Sequence, residues 1–356
     1  MKMSNGTQKA FEGILDEYFE GVLADNPMMA NELGRHEGEG RLGKIGVAFE
    51  KRQEQRRQKT LEALEDLAVN ELHAEQHLDR LALRSQLFSE CEDFARGKHT
   101  LEPDGVDAVF GILLHELQRG DDEPARARRN IKGVLNEAPG YLGRAAKMID
   151  RPERVWRRIM TQTVSGAPAM FEALETFMGR KEAREIAATQ RAVLNYRDAV
   201  MEKTLAPSKS FSLGKAQLQR RVRDELGLDY TLGQIESLAL REAARIGDLL
   251  AKACARHGRG KSAEQIIDRA RSEWKPEGDL LNIYRAETDR VAKGFKAAKA
   301  VSFPKGDELQ VRLVPEFMRH LYPTAAYSSP GPFEKRQRGI FWVNDLSLTK
   351  SNATEK

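Results

Sequence analysis

Apolar residues recur at helical spacing along most of the chain. Phe11, Ile14, Leu15, Tyr18, Phe19 and Val22 fall on one side of a 3.6-residue repeat and predict a helix. Asn26-Pro27 ends that run, because the residue before a proline avoids the helical region. Residues 49–69 predict a charged helix with Leu61, Leu64 and Ala68 on its apolar side. Residues 78–94 predict another, and Val106 to Leu117 is apolar enough to be buried. Two later starts, Thr231-Leu-Gly-Gln234 and Ser262-Ala-Glu-Gln265, fit the capping-box pattern. After the first, Ile235, Leu238, Ala239, Ile246, Leu249 and Leu250 form one apolar stripe. Residues 279–298 predict one more helix.

The period then changes. Leu309-Gln-Val-Arg-Leu-Val314 alternates as a half-exposed strand does, and Gly339-Ile-Phe-Trp-Val-Asn344 is a second strand candidate. Between them runs a loop rich in Pro and Gly, from Pro323 to Pro332. The expected fold is mainly α. A multi-helix body over 1–300 walls a cleft, a strand-loop-strand segment over 301–345 packs on the body or on a partner chain, and 346–356 is a disordered tail. Two strands make a poor sheet by themselves, and their open edges call for a cover.

Composition narrows the classes. At 356 residues the chain can bury a large core without disulfide or metal staples. Its 58 Lys and Arg stand against 54 Asp and Glu with the signs interleaved, as in Asp121-Asp122-Glu123 before Arg126, Arg128 and Arg129. A nucleic-acid binder concentrates positive charge on one face, so nucleic acid is not an expected partner. Cys91 and Cys254 match no metal-ligand spacing and read as reduced thiols. No apolar stretch fits a signal peptide or a membrane span, and the expected location is cytoplasmic.

Candidate chemistry is sparse. His73-Ala-Glu-Gln-His77 puts two histidines on one helix face, but Glu75 does not directly follow the first, as zinc peptidases require. The stretch reads as a solvated helix start. His115-Glu116 has Arg119 where a second histidine would be needed, and reads as a core histidine. No phosphate loop, nucleophile elbow or dinucleotide fingerprint is present. The densest segment runs from His320 to Asn344 and offers Tyr322, Tyr327, Arg336, Arg338 and Trp342 as well. Tyrosine and arginine there could donate hydrogen bonds to a developing oxyanion. The competing reading is a hairpin with its aromatics in the core.

Five pieces in order carry a resemblance. They are Tyr18-Phe with Asn26-Pro27-Met-Met-Ala-Asn-Glu-Leu33-Gly34 and Arg41-Leu42; Arg151-Pro152-Glu-Arg-Val155 with Gln162; Phe211-Ser-Leu-Gly214 with Leu226-Gly-Leu-Asp-Tyr-Thr231; Ala326-Tyr327-Ser-Ser-Pro330; and Gly339 to Asn344. Together they resemble the N-terminal half of the bacterial proteins grouped as domain of unknown function 885, which look like zinc-dependent metallopeptidases. Glu37-Gly-Glu-Gly40 departs from the aspartate-containing turn usual there. The family's His-Glu-x-x-x-Gly-His helix would follow the last piece, and no histidine follows His320. No metal ligand is therefore carried over. The resemblance implies the non-zinc subunit of a split hydrolase acting on an amide or peptide bond. A second polypeptide would bring zinc, its water and the general base. Tyr327 would donate to the tetrahedral intermediate, with Arg338, Asn344, His320 and Trp342 binding substrate. A truncated longer enzyme and a non-catalytic helical scaffold are the alternatives.

Overall fold

The computed structural model describes residues 6–344 except 121, 208, 209, 211, 259, 274–277, 304, 307, 315–321 and 323. His320, Phe211 and the 346–356 tail lie outside the described residues. The chain is mainly α, with thirteen α-helices and one three-stranded sheet among the described residues.

The chain divides into two compact units, Met1–Leu228 with Gly331–Glu334, and Asp229–Pro330 with Lys335–Lys356. The division falls at Leu228, inside the stretch that reads as one helical body to residue 300. Leu226-Gly-Leu-Asp-Tyr230 carries neither proline nor serine to mark a linker.

The first unit begins with α1 (Gly6–Asp25) and α2 (Pro27–Glu32). Asn26-Pro27 both ends one helix and starts the next. The Asn26 side chain accepts a hydrogen bond from the Met29 amide, and Pro27 takes the first helical position, where its missing N–H costs nothing. Next come α3 (Val47–Glu65), α4 (Ala74–Ala95) and α5 (Lys98–Leu101). Phe11, Tyr18, Leu64, Leu83 and Leu87, from α1, α3 and α4, form one buried cluster.

The larger core belongs to α6 (Gly105–Arg119), α7 (Pro124–Met148), α8 (Arg154–Met178) and α9 (Ala183–Met201), which pack on one another. Val109, Leu113, Ile131, Leu135, Met160, Leu174, Ile186 and Tyr196 are buried there. α7 and α8 each contain an internal proline, Pro139 and Pro168, which packing on neighbours tolerates where isolated propensity would not. α10 (Gly214–Asp224) closes the unit. The segment Gly331–Glu334 sits on the end of α2, where the Phe333 amide donates to the Leu33 carbonyl at 2.9 Å. A Cβ on Gly331 would lie 2.5 Å from the Leu33 carbonyl carbon, so only glycine fits.

The second unit holds α11 (Leu232–His257), α12 (Ala263–Glu273), α13 (Leu280–Ala298) and the strands β1 (Glu308–Leu313), β2 (Ala325–Ser328) and β3 (Arg338–Val343). Thr231 and Gln234 make both capping-box bonds, Ser262 and Gln265 do likewise, and Asp279 caps α13. α11 buries none of its residues. The strands do not form a hairpin. β3 pairs parallel with β1, Leu309 against Gly339, and antiparallel with β2, Tyr327 against Phe341. A parallel pair cannot be joined by a tight turn. The extra strand, Ala325–Ser328, is too short to stand out from the surrounding Pro, Gly and Ser.

Candidate functional site

Among the described residues, those singled out near the C-terminus do not converge. Opposed residues share a sheet face, so Tyr327 lies with Phe341 and Gly339 on one face, while Arg338 and Trp342 lie on the other. Tyr327 is exposed and lines a groove of about 790 Å³ between α13 and the sheet. Its ring lies over Gly339, where a Cβ would collide with the phenol. Arg338 pairs with Glu308 at 3.4 Å. Trp342 is buried and donates to the Ser328 hydroxyl at 2.9 Å. Asn344 is buried and donates its side-chain amide to the Tyr322 carbonyl. Trp342 and Asn344 therefore hold the sheet together, and the sheet itself separates Tyr327 from Arg338.

The first unit contains a denser polar constellation. Glu116 on α6 is fully buried. It accepts from Arg119 at 2.8 Å, Asn31 at 3.1 Å and Asn130 at 3.2 Å. Glu39, in the loop after α2, accepts from Arg119 at 3.0 Å and from the Arg126 Nε at 2.9 Å. Burial would raise the Glu39 carboxyl, but bonds from Arg126 and Asn130 outweigh it and lower the pKa. His36 bridges Glu39 at 2.9 Å and Glu334 at 3.2 Å. Burial, reinforced by Arg119, depresses the His115 pKa to about 4, so that ring is neutral at physiological pH. Every charge here has a partner, and the cluster fastens the 35–46 loop to α6 and α7.

A cleft in the same unit has a different character. One lobe of about 400 Å³ is bounded by α1, α2, α3, α6 and α7, and a second of about 350 Å³ adjoins it. Lys44, Glu50, Arg57, Glu90 and Tyr141 line both, which marks the neck between them. The cations are engaged. Asp25 receives Lys44 at 3.0 Å and Arg56 at 2.6 Å, and Gln53 donates at 2.9 Å. Burial opposes its ionisation, but those bonds win and hold its pKa at about 2. Arg57 lies 2.8 Å from Glu90 and 3.5 Å from buried Glu54. The Cys91 thiol beside them is pushed up to about 12, by burial first and by Glu54 next. Lys98 lies 3.6 Å from Asp93 and 3.4 Å from Glu102.

Asp104 is fixed from behind. The Gly105 amide donates to the Tyr196 hydroxyl at 3.2 Å, and a Cβ on Gly105 would meet Ala145 at 2.9 Å. The start of α6 is thus wedged between α7 and α9, with Asp104 at its edge lining the second lobe. The side chain is open to water but set deep among protein atoms. That burial, with Glu102, Asp107 and Glu50 adding repulsion, raises its pKa to about 6.

Among the described residues no three His, Cys, Asp or Glu side chains converge to hold a metal. His73 is the N-cap of α4, its ring accepting from the Gln76 amide at 3.3 Å.

The family model for bacterial proteins of unknown function, DUF885, matches residues 27–355. The chain belongs to the DUF885 family. The match runs over essentially the whole DUF885 chain. Comparison with curated proteins gave no match. Two solved structures share the fold. A candidate lipoprotein of unknown function from Shewanella oneidensis superposes with a TM-score of 0.66 at 15% identity, over 97% of this chain and 66% of that one. A candidate lipoprotein from Colwellia psychrerythraea gives a TM-score of 0.55 at 9% identity, over 96% and 68%. The DUF885 chain thus spans about two thirds of the length of either neighbour. Among the described residues no helix is long and apolar enough to cross a membrane.

Proposed function

We propose that this DUF885 chain is the pocket-bearing subunit of a hydrolase acting on an amide or peptide bond. Zinc and the general base come from a second polypeptide carrying the His-Glu-x-x-x-Gly-His helix. The observation that carries this reading is the first-unit cleft, in which Glu50, Asp104 and Tyr141 have no side-chain partner while the cations that line it, Lys44, Arg56, Arg57 and Lys98, are all paired. Unpaired polar groups in a concave pocket are the usual mark of a ligand site. The uncovered apolar side of α11 supports a partner. Tyr327 keeps a place in this reading only as a residue of the second unit's groove, apart from Arg338, Trp342 and Asn344.

The test is native co-purification. The tagged full chain should bring down one polypeptide bearing that motif, with zinc in the complex by metal analysis, and the complex should cleave peptide amides. The chain alone with added zinc should not. Strong hydrolysis by the chain alone, or tight zinc binding by its own side chains, would overturn the proposal. An inactive, metal-free complex would mean a non-catalytic scaffold instead. Free Cys91 and Cys254 suit the reducing cytoplasm we assign to the pair, and fractionation of the native host checks that placement.

A further inference from the structure

We propose that the second lobe of the cleft binds a protonated amine, held by the carboxylates of Glu50 and Asp104 and the hydroxyl of Tyr141. The inference rests on the cleft being a substrate pocket, and it names the substrate class: molecules that present an ammonium group.

The three groups come from separate elements. Glu50 stands in the first turn of α3, Asp104 precedes α6, and Tyr141 lies within α7. Glu50 and Tyr141 line both lobes, and Asp104 lines the second. Among the described residues neither carboxylate has an ion-pair partner. Tyr141 is only 8% exposed, yet its hydroxyl has no hydrogen-bond partner either. Tyr141 lines both lobes, so its hydroxyl is open to a group that enters the cleft. The cations that line the cleft, Lys44, Arg56, Arg57 and Lys98, are spent on Asp25, Glu54, Glu90, Asp93 and Glu102. Two negative charges and a neutral acceptor therefore line one lobe with no free cation among the described residues of its lining, and the nearest unpaired cation acting on Tyr141 is Arg144, exposed one turn along α7 and outside that lining. An ammonium has three N–H donors and one positive charge, and it matches three acceptors with charge-assisted bonds. An anion would meet repulsion instead.

The amine could be a peptide's amino terminus or a lysine side chain, and the probes separate the two. Alanyl-alaninamide, its N-acetyl derivative and N-acetyl-lysinamide are titrated into the purified full chain, with no zinc or partner, by calorimetry. We expect saturable binding of at least one free amine and none of N-acetyl-alanyl-alaninamide. Whichever amine binds identifies the source. Glu50→Gln and Asp104→Asn should each weaken binding about tenfold, and Tyr141→Phe by a smaller factor, in variants that melt no lower than the parent. Equal binding of acetylated and free probes, absence of any amine binding, or full affinity in the charge-neutral variants would overturn the inference. The readout involves no hydrolysis. A chain that binds amines within an inactive complex would therefore sink the hydrolase reading alone, and an active complex indifferent to acetylation would sink this one alone.

Discussion

Asp25 and Asp104 line neighbouring parts of one cleft, and acid acts on them in opposite senses. The folded pKa of Asp25, about 2, lies below its ordinary 3.8. Its ionised form therefore stabilises the fold above pH 4, and that contribution is lost as the pH falls from 4 toward 2. Asp25→Asn should cost about 2 kcal/mol at pH 7 and almost nothing at pH 2, read from urea melts. Asp104 is raised to about 6. Its ionised form opposes folding, a penalty absent below pH 4 that grows through 4 to 6 and is complete above. Glu102, Asp107 and Glu50 add to the penalty, while Lys98, paired with Glu102, faces the same lobe. Asp104→Asn should raise the Tm at pH 7.5 and leave it unchanged at pH 4. The gain should be no more than about 1 kcal/mol because water screens the open side chain. A Tm that falls at pH 7.5 would contradict the assignment. A carboxylate kept where it weakens the fold is the pattern expected of a binding group.

At the scale of elements, the loop after α2 is held by charge and α11 by very little. Arg119 neutralises both Glu39 and Glu116, and Glu116 has no access to water. Removing the guanidinium in Arg119→Ala leaves a buried carboxylate uncompensated, a loss of about 3–5 kcal/mol. Arg119→Lys should recover only part, since one ammonium cannot span two carboxylates, Asn31 and His115 as the fork does. Equilibrium denaturation measures both. α11 behaves differently: Ile246, Leu249 and Leu250 are all more than half exposed. Charged substitutions such as Leu250→Glu should leave the Tm within error, because they remove no buried surface. They should abolish capture of the proposed partner in the co-purification. Lost stability without lost capture would place that face in the chain's own core.

For the whole molecule, what could be read from sequence followed the range of each interaction. Helices and their caps are local, so Thr231 and Ser262 were readable in place. The β3 strand was readable too, but not its parallel register, which alone puts Tyr327 and Arg338 on opposite faces. The Glu39–Arg119–Glu116–Asn130 cluster and the Glu50, Asp104, Tyr141 group in the second lobe draw on segments tens of residues apart, and no spacing rule joins them. The stripe on α11 was visible as apolar, and nothing local tells whether such a stripe is covered. That last point makes the stability of the chain uneven. In the first unit α6–α9 bury Leu113, Ile131, Leu174 and Ile186 completely, whereas α11 and α13 bury none of their residues. Local opening costs least where backbone hydrogen bonds are solvent-exposed and few apolar side chains hold the helix down. Native-state hydrogen exchange on the chain alone should therefore find the slowest amides in α6–α9 and the fastest helical amides in α11 and α12. Limited proteolysis should cut first between residues 229 and 300. Adding the partner should slow exchange in α11 and leave α6–α9 unchanged. Uniform protection across both units in the isolated chain would show that α11 is already packed, and would remove the main physical reason for expecting a second polypeptide.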